Sequence, residues 1–387
     1  MKTIPITKPF FDHTERDLIG QVLETGWVVQ GPKVEEFERL FCAYTGSAHG
    51  VATSSCTTAL HLALLATGVG PGDEVIVPAF TWISTANVVE YVGAKPVFCD
   101  IDLSTFNLNP EAVKASLSER TKAIIPVHLF GLCADMRSIL EIAEQRGLAV
   151  IEDAACALGA WYFEKHAGTM GDAGCFSFHP RKSITTGEGG MLITANEEIA
   201  TLSSVLRDHG GSITDRQRHE SSTSFLLPEF AHLGFNYRMT DLQGALGCAQ
   251  MDKVDWIMQE RRRRASTYDG ALTGCEWLTV PRVPKGHVHG YQAYVCLFVP
   301  ETPSLDNVEH LHRERNRIMA KLQKGGVATR PGTHAVHVQK YYAQKYGIAP
   351  DEFPQALLAD RLALALPLFP QMTDSDQERV VNALIEV

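Results

Sequence analysis

The chain has 387 residues, of which 45% are hydrophobic and 21% are charged. This length is sufficient for two domains, or for one large α/β domain with an appendage. The formal net charge of −10 argues against a general binder of nucleic acid or of an anionic membrane, so ligands are expected to bind at local sites.

The cysteines and the apolar runs predict the compartment. The nine cysteines include no CxxC pair, which is typical of buried small side chains in a reducing compartment. Three histidine pairs, at 287/289, 310/312 and 334/337, lack a nearby Cys or carboxylate to complete a ligand set, so no metal is expected. The N-terminus has no apolar leader, and no run approaches the ~18 apolar residues of a membrane span. We therefore predict a cytoplasmic protein.

Short apolar strands alternate with amphipathic helices from about residue 50. The predicted strands are 50–53, 74–80, 96–100, 123–130, 149–152, 175–178 and 191–194. The helices predicted over 57–67, 82–92 and 136–146 each end at a glycine, which can adopt a positive φ. This alternation predicts an α/β fold with a mostly parallel central sheet that is covered by helices on both faces.

The pattern changes after about residue 250. A long charged helix is predicted over 250–273, followed by a strand at 291–299 and helices at 313–324 and 374–385. This composition favours a smaller α+β domain, so we predict a large domain of residues 1–250 and a small C-terminal domain of residues 251–387. We interpret the four arginines at 261–264 as a solvated helix face rather than as a polyanion-binding patch.

Ligands of a doubly wound sheet bind beyond the carboxyl ends of the strands, so the strand-to-helix turns are the candidate sites. The turn at 53–58 is small and hydroxylated and leads directly into a helix. Its backbone amides, with Thr57 and Thr58, suit a phosphate, and ordinary N-capping is the alternative. The next turn carries Trp82, which is either a stacking platform or part of the core.

Two further turns carry charged groups. The apolar strand 149–152 ends in Glu152 and Asp153, and at least one of them should face a cation unless it is a helix cap. Lys182 follows strand 175–178 and enters a loop with three glycines. Burial at this place would lower the pKa of Lys182 and make it a nucleophile. A phosphate-binding helix end, a flat ring, an acid and such a lysine are together the requirements of pyridoxal phosphate (PLP).

A series of ordered motifs runs along nearly the whole chain. The motifs are TGW (25–27), GP (31–32), EEFE (35–38), ALHLAL (59–64), PGDEV (71–75), GAKPVF (93–98), VHLFG (127–131), EDAA (152–155), FSFH (176–179), TGEGGM (186–191) and NYRMTD (236–241). In these motifs the sequence resembles the DegT/DnrJ/EryC1/StrS family of sugar aminotransferases. The resemblance implies an aspartate-aminotransferase type fold (PLP fold type I).

The resemblance also implies roles for individual residues. Lys182 would bind PLP as a Schiff base, Asp153 would pair with the pyridinium nitrogen, and Trp82 would stack on the ring. The side chains implied to bind the phosphate are Thr57, Thr58 and Ser177.

Other residues are implied to complete the cofactor site and the substrate site. Asn236 would reach the phosphate in the neighbouring subunit, which implies a homodimer with two shared active sites. Cys156 would lie beside the cofactor ring, at a position where relatives often have Gln or His. The candidates for substrate contact are His334, His337 and Arg238.

We therefore predict a PLP-dependent aminotransferase that converts a keto sugar, a nucleotide-linked 4-keto or 3-keto hexose, to an amino sugar. Glutamate or glutamine would be the amino donor, and Lys182 would transfer the proton as base and then as acid. Two alternatives stay open, a PLP- or PMP-dependent sugar dehydratase, where the lysine is typically a histidine, and a non-catalytic regulatory protein of this fold. Lys182 and Asp153 favour transamination. No nucleic acid or membrane is expected as a partner.

Overall fold

The computed structural model of the chain describes residues 3–211, 213 and 228–386. The helices are α1 His13–Thr25, α2 Pro32–Thr45, α3 Cys56–Ala66, α4 Ser84–Tyr91, α5 Pro110–Ala115, α6 Met136–Arg146, α7 Glu197–Arg207, α8 Asp241–Met251, α9 Val254–Leu272, α10 Val308–Lys324, α11 Lys340–Tyr346, α12 Pro354–Leu362 and α13 Asp374–Ile385. The strands are β1 His49–Thr53, β2 Glu74–Pro78, β3 Phe80–Thr81, β4 Lys95–Cys99, β5 Thr121–Ile124, β6 Ala149–Asp153, β7 Trp161–Tyr162, β8 Lys165–His166, β9 Ala173–Ser177, β10 Gly190–Thr194, β11 Leu278–Thr279, β12 His287–Val288, β13 Tyr294–Phe298, β14 His334–Ala335 and β15 Ala363–Leu366.

Seven strands form the central sheet, in the order β1-β10-β9-β6-β5-β2-β4. Strands β9, β6, β5, β2 and β4 pair in parallel, whereas β10 is antiparallel to both of its neighbours, β1 and β9. Alternate residues of β2 face different cores, since Val75 and Val77 join one hydrophobic cluster and Ile76 joins another. The mostly parallel sheet with a core on each face, which the alternating pattern predicted, is confirmed.

The predicted strand at 123–130 is shorter in the structure. β5 ends at Ile124, and a 3-10 turn occupies Leu129–Gly131. Phe130 has a φ of 58° and Gly131 has a φ of 103°, so the chain turns away from the sheet. The apolar pattern continues because the residues after the strand are buried as well.

A second, antiparallel sheet has the order β11-β13-β15. Residues near the N-terminus contact this part of the chain, because Ile4 donates from its N to the Gly326 carbonyl at 2.8 Å and Ile6 accepts from the Leu368 N at 3.0 Å. Among the described residues, no helix is both long and apolar enough to cross a membrane. The domain boundary after residue 250 stays a prediction.

Two of the four arginines at 261–264 are buried, which corrects the predicted solvated face of the long helix. Arg261 is only 1% exposed and Arg264 only 4%. Arg261 donates to the carbonyl oxygens of Tyr291 and Gln292, both at 3.2 Å. The guanidinium groups of Arg261 and Arg264 therefore lie inside the C-terminal part of the protein. The helix predicted over 250–273 also begins later, at Val254.

Candidate active site

The candidate site lies at one end of the central sheet, where β1, β10 and β9 meet. Thr53, Gly190 and Ser177 are aligned across these three strands. A Cβ at Gly190 would lie 2.3 Å from the carbonyl carbon of Ser55 and 2.5 Å from the amide nitrogen of Cys56. Glycine at this position therefore lets the start of α3 pack directly on the sheet.

The first turn of α3 combines a helix cap with unused backbone donors. The Ser55 Oγ accepts from the Thr58 N at 3.2 Å, and the Thr58 Oγ1 accepts from the Ser55 N at 3.1 Å. The Thr57 hydroxyl donates to the Ser84 Oγ at 3.1 Å. In the part of the chain that the structure describes, the amides of Cys56 and Thr57 have no acceptor. The capping alternative thus accounts for Ser55, while two amides at a positive helix end remain for an anion.

Glu152, the first of the two carboxylates that end β6, is bound by the protein itself. Its oxygens accept from three backbone amides at 2.6–2.7 Å, those of Gly168, Met170 and Gly171. His128 completes the set, because its Nδ1 accepts from the Ala134 N and its Nε2 therefore donates to Glu152 at 2.7 Å. Burial alone would raise the pKa of Glu152, but His128 and the amides lower it. Glu152 is therefore a structural carboxylate.

Asp153, the second carboxylate, ends β6 at the same edge of the sheet as Ser177. Its Oδ2 accepts from the Thr85 hydroxyl at 2.8 Å, and its Oδ1 accepts from the Ala155 N at 3.1 Å. Burial raises the pKa of Asp153, against the effect of these hydrogen bonds and of the Lys182 charge. A buried carboxylate of this kind gains from a cationic partner.

Lys182 lies in the loop after β9, with its Nζ 3.0 Å from the Sγ of Cys156. Burial acts to lower the pKa of Lys182, but its interaction with Cys156 and the charge of Asp153 raise it. The lowered pKa expected from burial is therefore wrong for the chain as it stands, because that expectation left out the neighbouring groups. Lys182, Cys156 and Asp153 nevertheless form one cluster in the structure, although they belong to different turns of the sequence.

Trp82 and His334 lie together at the open side of the site. Strand β14 pairs with β3, so that His334 is opposite Thr81, and the rings of Trp82 and His334 are 5.8 Å apart. Trp82 is 57% exposed, which excludes the core-packing alternative. Ser177 is partly buried, and its Oγ is 3.5 Å from the His179 N.

The motif that contains Asn236 packs on its own chain beside α3. Asn236 is exposed and forms a β-bridge with Asp208, and the following carbonyl, of Tyr237, accepts from the Ser54 N at 2.8 Å. Arg238 pairs with Asp208, with 2.5 Å between Nη1 and Oδ1. The structure therefore packs Tyr237 of this motif beside the turn before α3, leaves Asn236 exposed and engages Arg238 in an ion pair.

His337 is not brought to the open site. It is fully buried, its Nε2 is 3.1 Å from the Pro350 carbonyl oxygen, and its ring is 5.0 Å from that of Phe353. Burial also lowers its pKa. The structure thus gives His337 a packing position instead of the predicted position in contact with the substrate.

Sequence reasoning missed Thr85, which binds Asp153. Thr85 lies in the first turn of α4, three residues after Trp82, and its hydroxyl also contacts that of Thr81 at 3.0 Å. The available signal was its place in a strand-to-helix turn next to that of Asp153 in the predicted sheet. Among the described residues, no group of three or more His, Cys, Asp or Glu side chains is arranged to bind a metal.

The fold is that of the PLP-dependent sugar aminotransferases. The sequence model of the DegT/DnrJ/EryC1/StrS aminotransferase family matches residues 10–385, and the chain belongs to this family. The predicted family, the PLP-type fold, the aminotransferase activity and the cofactor PLP are thereby confirmed.

This chain aligns with individual relatives over almost their full lengths. The chain is 38% identical over 384 residues to the spore coat polysaccharide biosynthesis protein SpsC of Bacillus subtilis, covering 99% of this chain and 97% of SpsC. The PMP form of the putative sugar aminotransferase Spr1654 from Streptococcus pneumoniae is 28% identical, with a TM-score of 0.90 and coverage of 98% of both chains. PseC of Helicobacter pylori, an aminotransferase involved in the biosynthesis of pseudoaminic acid, is 25% identical, with a TM-score of 0.90 and coverage of 100% of this chain and 99% of PseC.

The residues present fit PLP. A buried carboxylate, Asp153, is available for a ring nitrogen, and two amides without acceptors, of Cys56 and Thr57, are available for a phosphate. An exposed indole, Trp82, and a partly buried amine, Lys182, complete the donor set. Each chemical feature of the cofactor therefore has a partner of matching chemistry at this end of the sheet.

Proposed function

We propose that the protein converts a keto sugar carried on a nucleotide, a 4-keto or 3-keto hexose, to the corresponding amino sugar. Glutamate or glutamine is the amino donor. The observation that carries the proposal is the cluster of Lys182, Cys156 and Asp153 beside the anion-binding start of α3. Relatives named for polysaccharide and pseudoaminic acid biosynthesis support a sugar as the acceptor.

Lys182 holds the cofactor and then moves the proton. When bound, PLP supplies an electron-accepting ring that stabilises negative charge at the reacting carbon. The Nζ of Lys182 removes the proton from the substrate carbon as a base and returns it as an acid. Asp153 keeps a proton on the pyridine nitrogen, and Thr85 fixes the carboxylate by its hydrogen bond at 2.8 Å. Cys156 contacts the Nζ of Lys182 and orients it.

The phosphate binds at the start of α3. We assign it to the amides there and to three hydroxyl side chains, those of Thr57, Thr58 and Ser177. Asn236 of the partner subunit completes this site in a homodimer with two shared active sites. Its exposed position at the edge of its own chain supports a contact across a subunit boundary.

The substrate enters beside Trp82, whose exposed indole would stack on the ring of the bound cofactor. His334 extends this exposed edge, and Arg238, paired with Asp208, lies on the side of the Asn236 motif. We assign His334 and Arg238 to the sugar nucleotide. The large domain, residues 1–250, carries the cofactor groups, and the small domain, residues 251–387, contributes His334.

An absorbance spectrum followed by a donor screen tests the proposal. The visible band of the lysine-bound cofactor should disappear when glutamate or glutamine is added and return when a nucleotide-linked keto hexose follows. NMR of the product then shows whether C3 or C4 carries the amino group. Bleaching by a donor without recovery by any keto sugar nucleotide, together with recovery by a free keto sugar or a cyclitol ketone, would overturn the nucleotide assignment.

A further inference from the structure

A side chain from the C-terminal part of the protein contacts the backbone that carries the active-site lysine. The Nε2 of Gln292 donates to the carbonyl oxygen of Arg181 at 2.7 Å. Arg181 immediately precedes Lys182, and 111 residues separate Gln292 from it along the chain. The bond therefore joins the approach to β13 with the loop after β9.

The backbone that carries Gln292 is held in an unusual conformation. Tyr291 has a φ of 45°, a region that bulky residues rarely adopt. Its N donates to the Nδ1 of His289 at 2.8 Å, and the two rings stack with centroids 3.9 Å apart. The buried Arg261 donates to the carbonyl oxygens of both Tyr291 and Gln292 at 3.2 Å. These contacts over-determine the conformation, as is typical of strained residues near functional sites.

Gly131 lies between the segment at 291–292 and the backbone of Cys156. A Cβ at Gly131 would lie 2.8 Å from the Tyr291 N, 3.1 Å from the Gln292 N and 3.2 Å from the Cys156 carbonyl oxygen. The Cys156 Sγ in turn accepts from the Nζ of Lys182. The segment at 291–292 thus contacts the peptide before Lys182 directly, and it faces Cys156, which contacts the amine of Lys182, across Gly131.

We propose that Gln292 is a positioning residue for Lys182. Its amide fixes the Arg181–Lys182 peptide, so that the Nζ stays beside Cys156 and Asp153 in the geometry that proton transfer requires. In this role Gln292 acts through the Lys182 backbone and needs no contact of its own with substrate or cofactor. The inference rests on the proposed role of Lys182 as the lysine that binds PLP.

Gln292→Met tests this inference, because methionine is similar in length and cannot donate. Gln371→Met is the matched control, since the Nε2 of Gln371 also donates to backbone carbonyls, those of Lys8 at 3.2 Å and Pro9 at 2.9 Å. We expect Gln292→Met to lower kcat about tenfold or more with little change in the donor KM. The pH midpoint of the cofactor absorbance should also shift, whereas Gln371→Met should leave kcat and this midpoint unchanged.

Gln292→Glu is a second test variant, since the carboxylate keeps the size of the side chain but cannot donate a hydrogen bond. It should share the loss in kcat, and it decides the matter if the methionine variant does not fold. The inference is overturned if folded Gln292 variants match Gln371→Met in kcat and in the pH midpoint. Borohydride reduction and peptide mapping of the wild type test the underlying assignment separately, because a label on another lysine contradicts the role of Lys182 whatever the Gln292 variants do.

Discussion

Gly190→Ala tests whether the close packing of β10 on α3 maintains the anion site. The new Cβ would lie 2.3–2.5 Å from backbone atoms of Ser55 and Cys56, whereas ordinary contacts begin at 3.4 Å. The start of α3 must therefore move by about 1 Å, and the amides of Cys56 and Thr57 must move with it. Overpacking of this kind costs about 1–3 kcal/mol of unfolding free energy. A hydrogen bond to a charged group contributes about 1.5–3 kcal/mol, so losing one weakens phosphate binding about 10- to 100-fold.

Urea unfolding of the apoenzyme measures the first quantity, and titration with pyridoxamine phosphate measures the second without a covalent bond to Lys182. Gly20→Ala is the matched control, because nothing lies within 4 Å of its new Cβ in the interior of α1. It should stabilise the protein by about 0.5–1 kcal/mol and leave the affinity unchanged. A Gly190→Ala protein that equals the wild type in both stability and affinity would refute the steric reasoning.

Three further predictions concern charge, assembly and pH. Asp153→Asn should keep the cofactor bound but slow proton transfer about 10³-fold. Opposite charges about 4 Å apart interact by about 4 kcal/mol, and a neutral amide loses this attraction to the protonated ring nitrogen. An unchanged kcat would mean that Asp153 has only a structural role. A tagged heterodimer of Lys182→Ala and Asn236→Trp should regain about half of the wild-type activity, since one shared site collects both lesions; heterodimers that stay inactive while both parents are dimers contradict shared sites. Burial lowers the pKa of His166 from 6.5 to about 4, so the unfolded chain binds the proton first and stability falls as the pH drops through this interval. From pH 7 to 5 the loss due to His166 should be about 2 kcal/mol by urea unfolding, and a His166→Gln protein with the same loss would contradict it.

The central sheet and most of the site could be predicted because their signals are local in sequence. β6 is an apolar run that ends in a carboxylate, and α3 begins directly after a hydroxylated turn, so Asp153 and Thr57 are marked by position alone. Parallel strands then bring their carboxyl ends to one edge. The regular pairing of β2 with β4 and β5 follows from the same alternation.

What could not be predicted depends on contacts between distant parts of the chain. Arg261 appears in a run of four charges, and only the carbonyl oxygens of Tyr291 and Gln292 make its burial possible. His337 was a candidate for substrate contact, and only the fold shows that it lies against Pro350. The pKa of Lys182 depends on Cys156, which belongs to a different turn. The pattern of charges along a sequence shows neither which residues a side chain contacts nor how far away they are.

The pairing of the first residues with the last third of the chain has a consequence for biosynthesis. Ile4 bonds with Gly326 and Ala328, and Ile6 bonds with Leu368. Residues 3–9 are synthesised long before Gly326, Ala328 and Leu368, so their partners do not yet exist when they leave the ribosome. Closing so long a loop is slow compared with local pairing. Residues 3–9 therefore stay available to chaperones and to proteases until these partners emerge, and they are expected to dock later than the elements that pair locally.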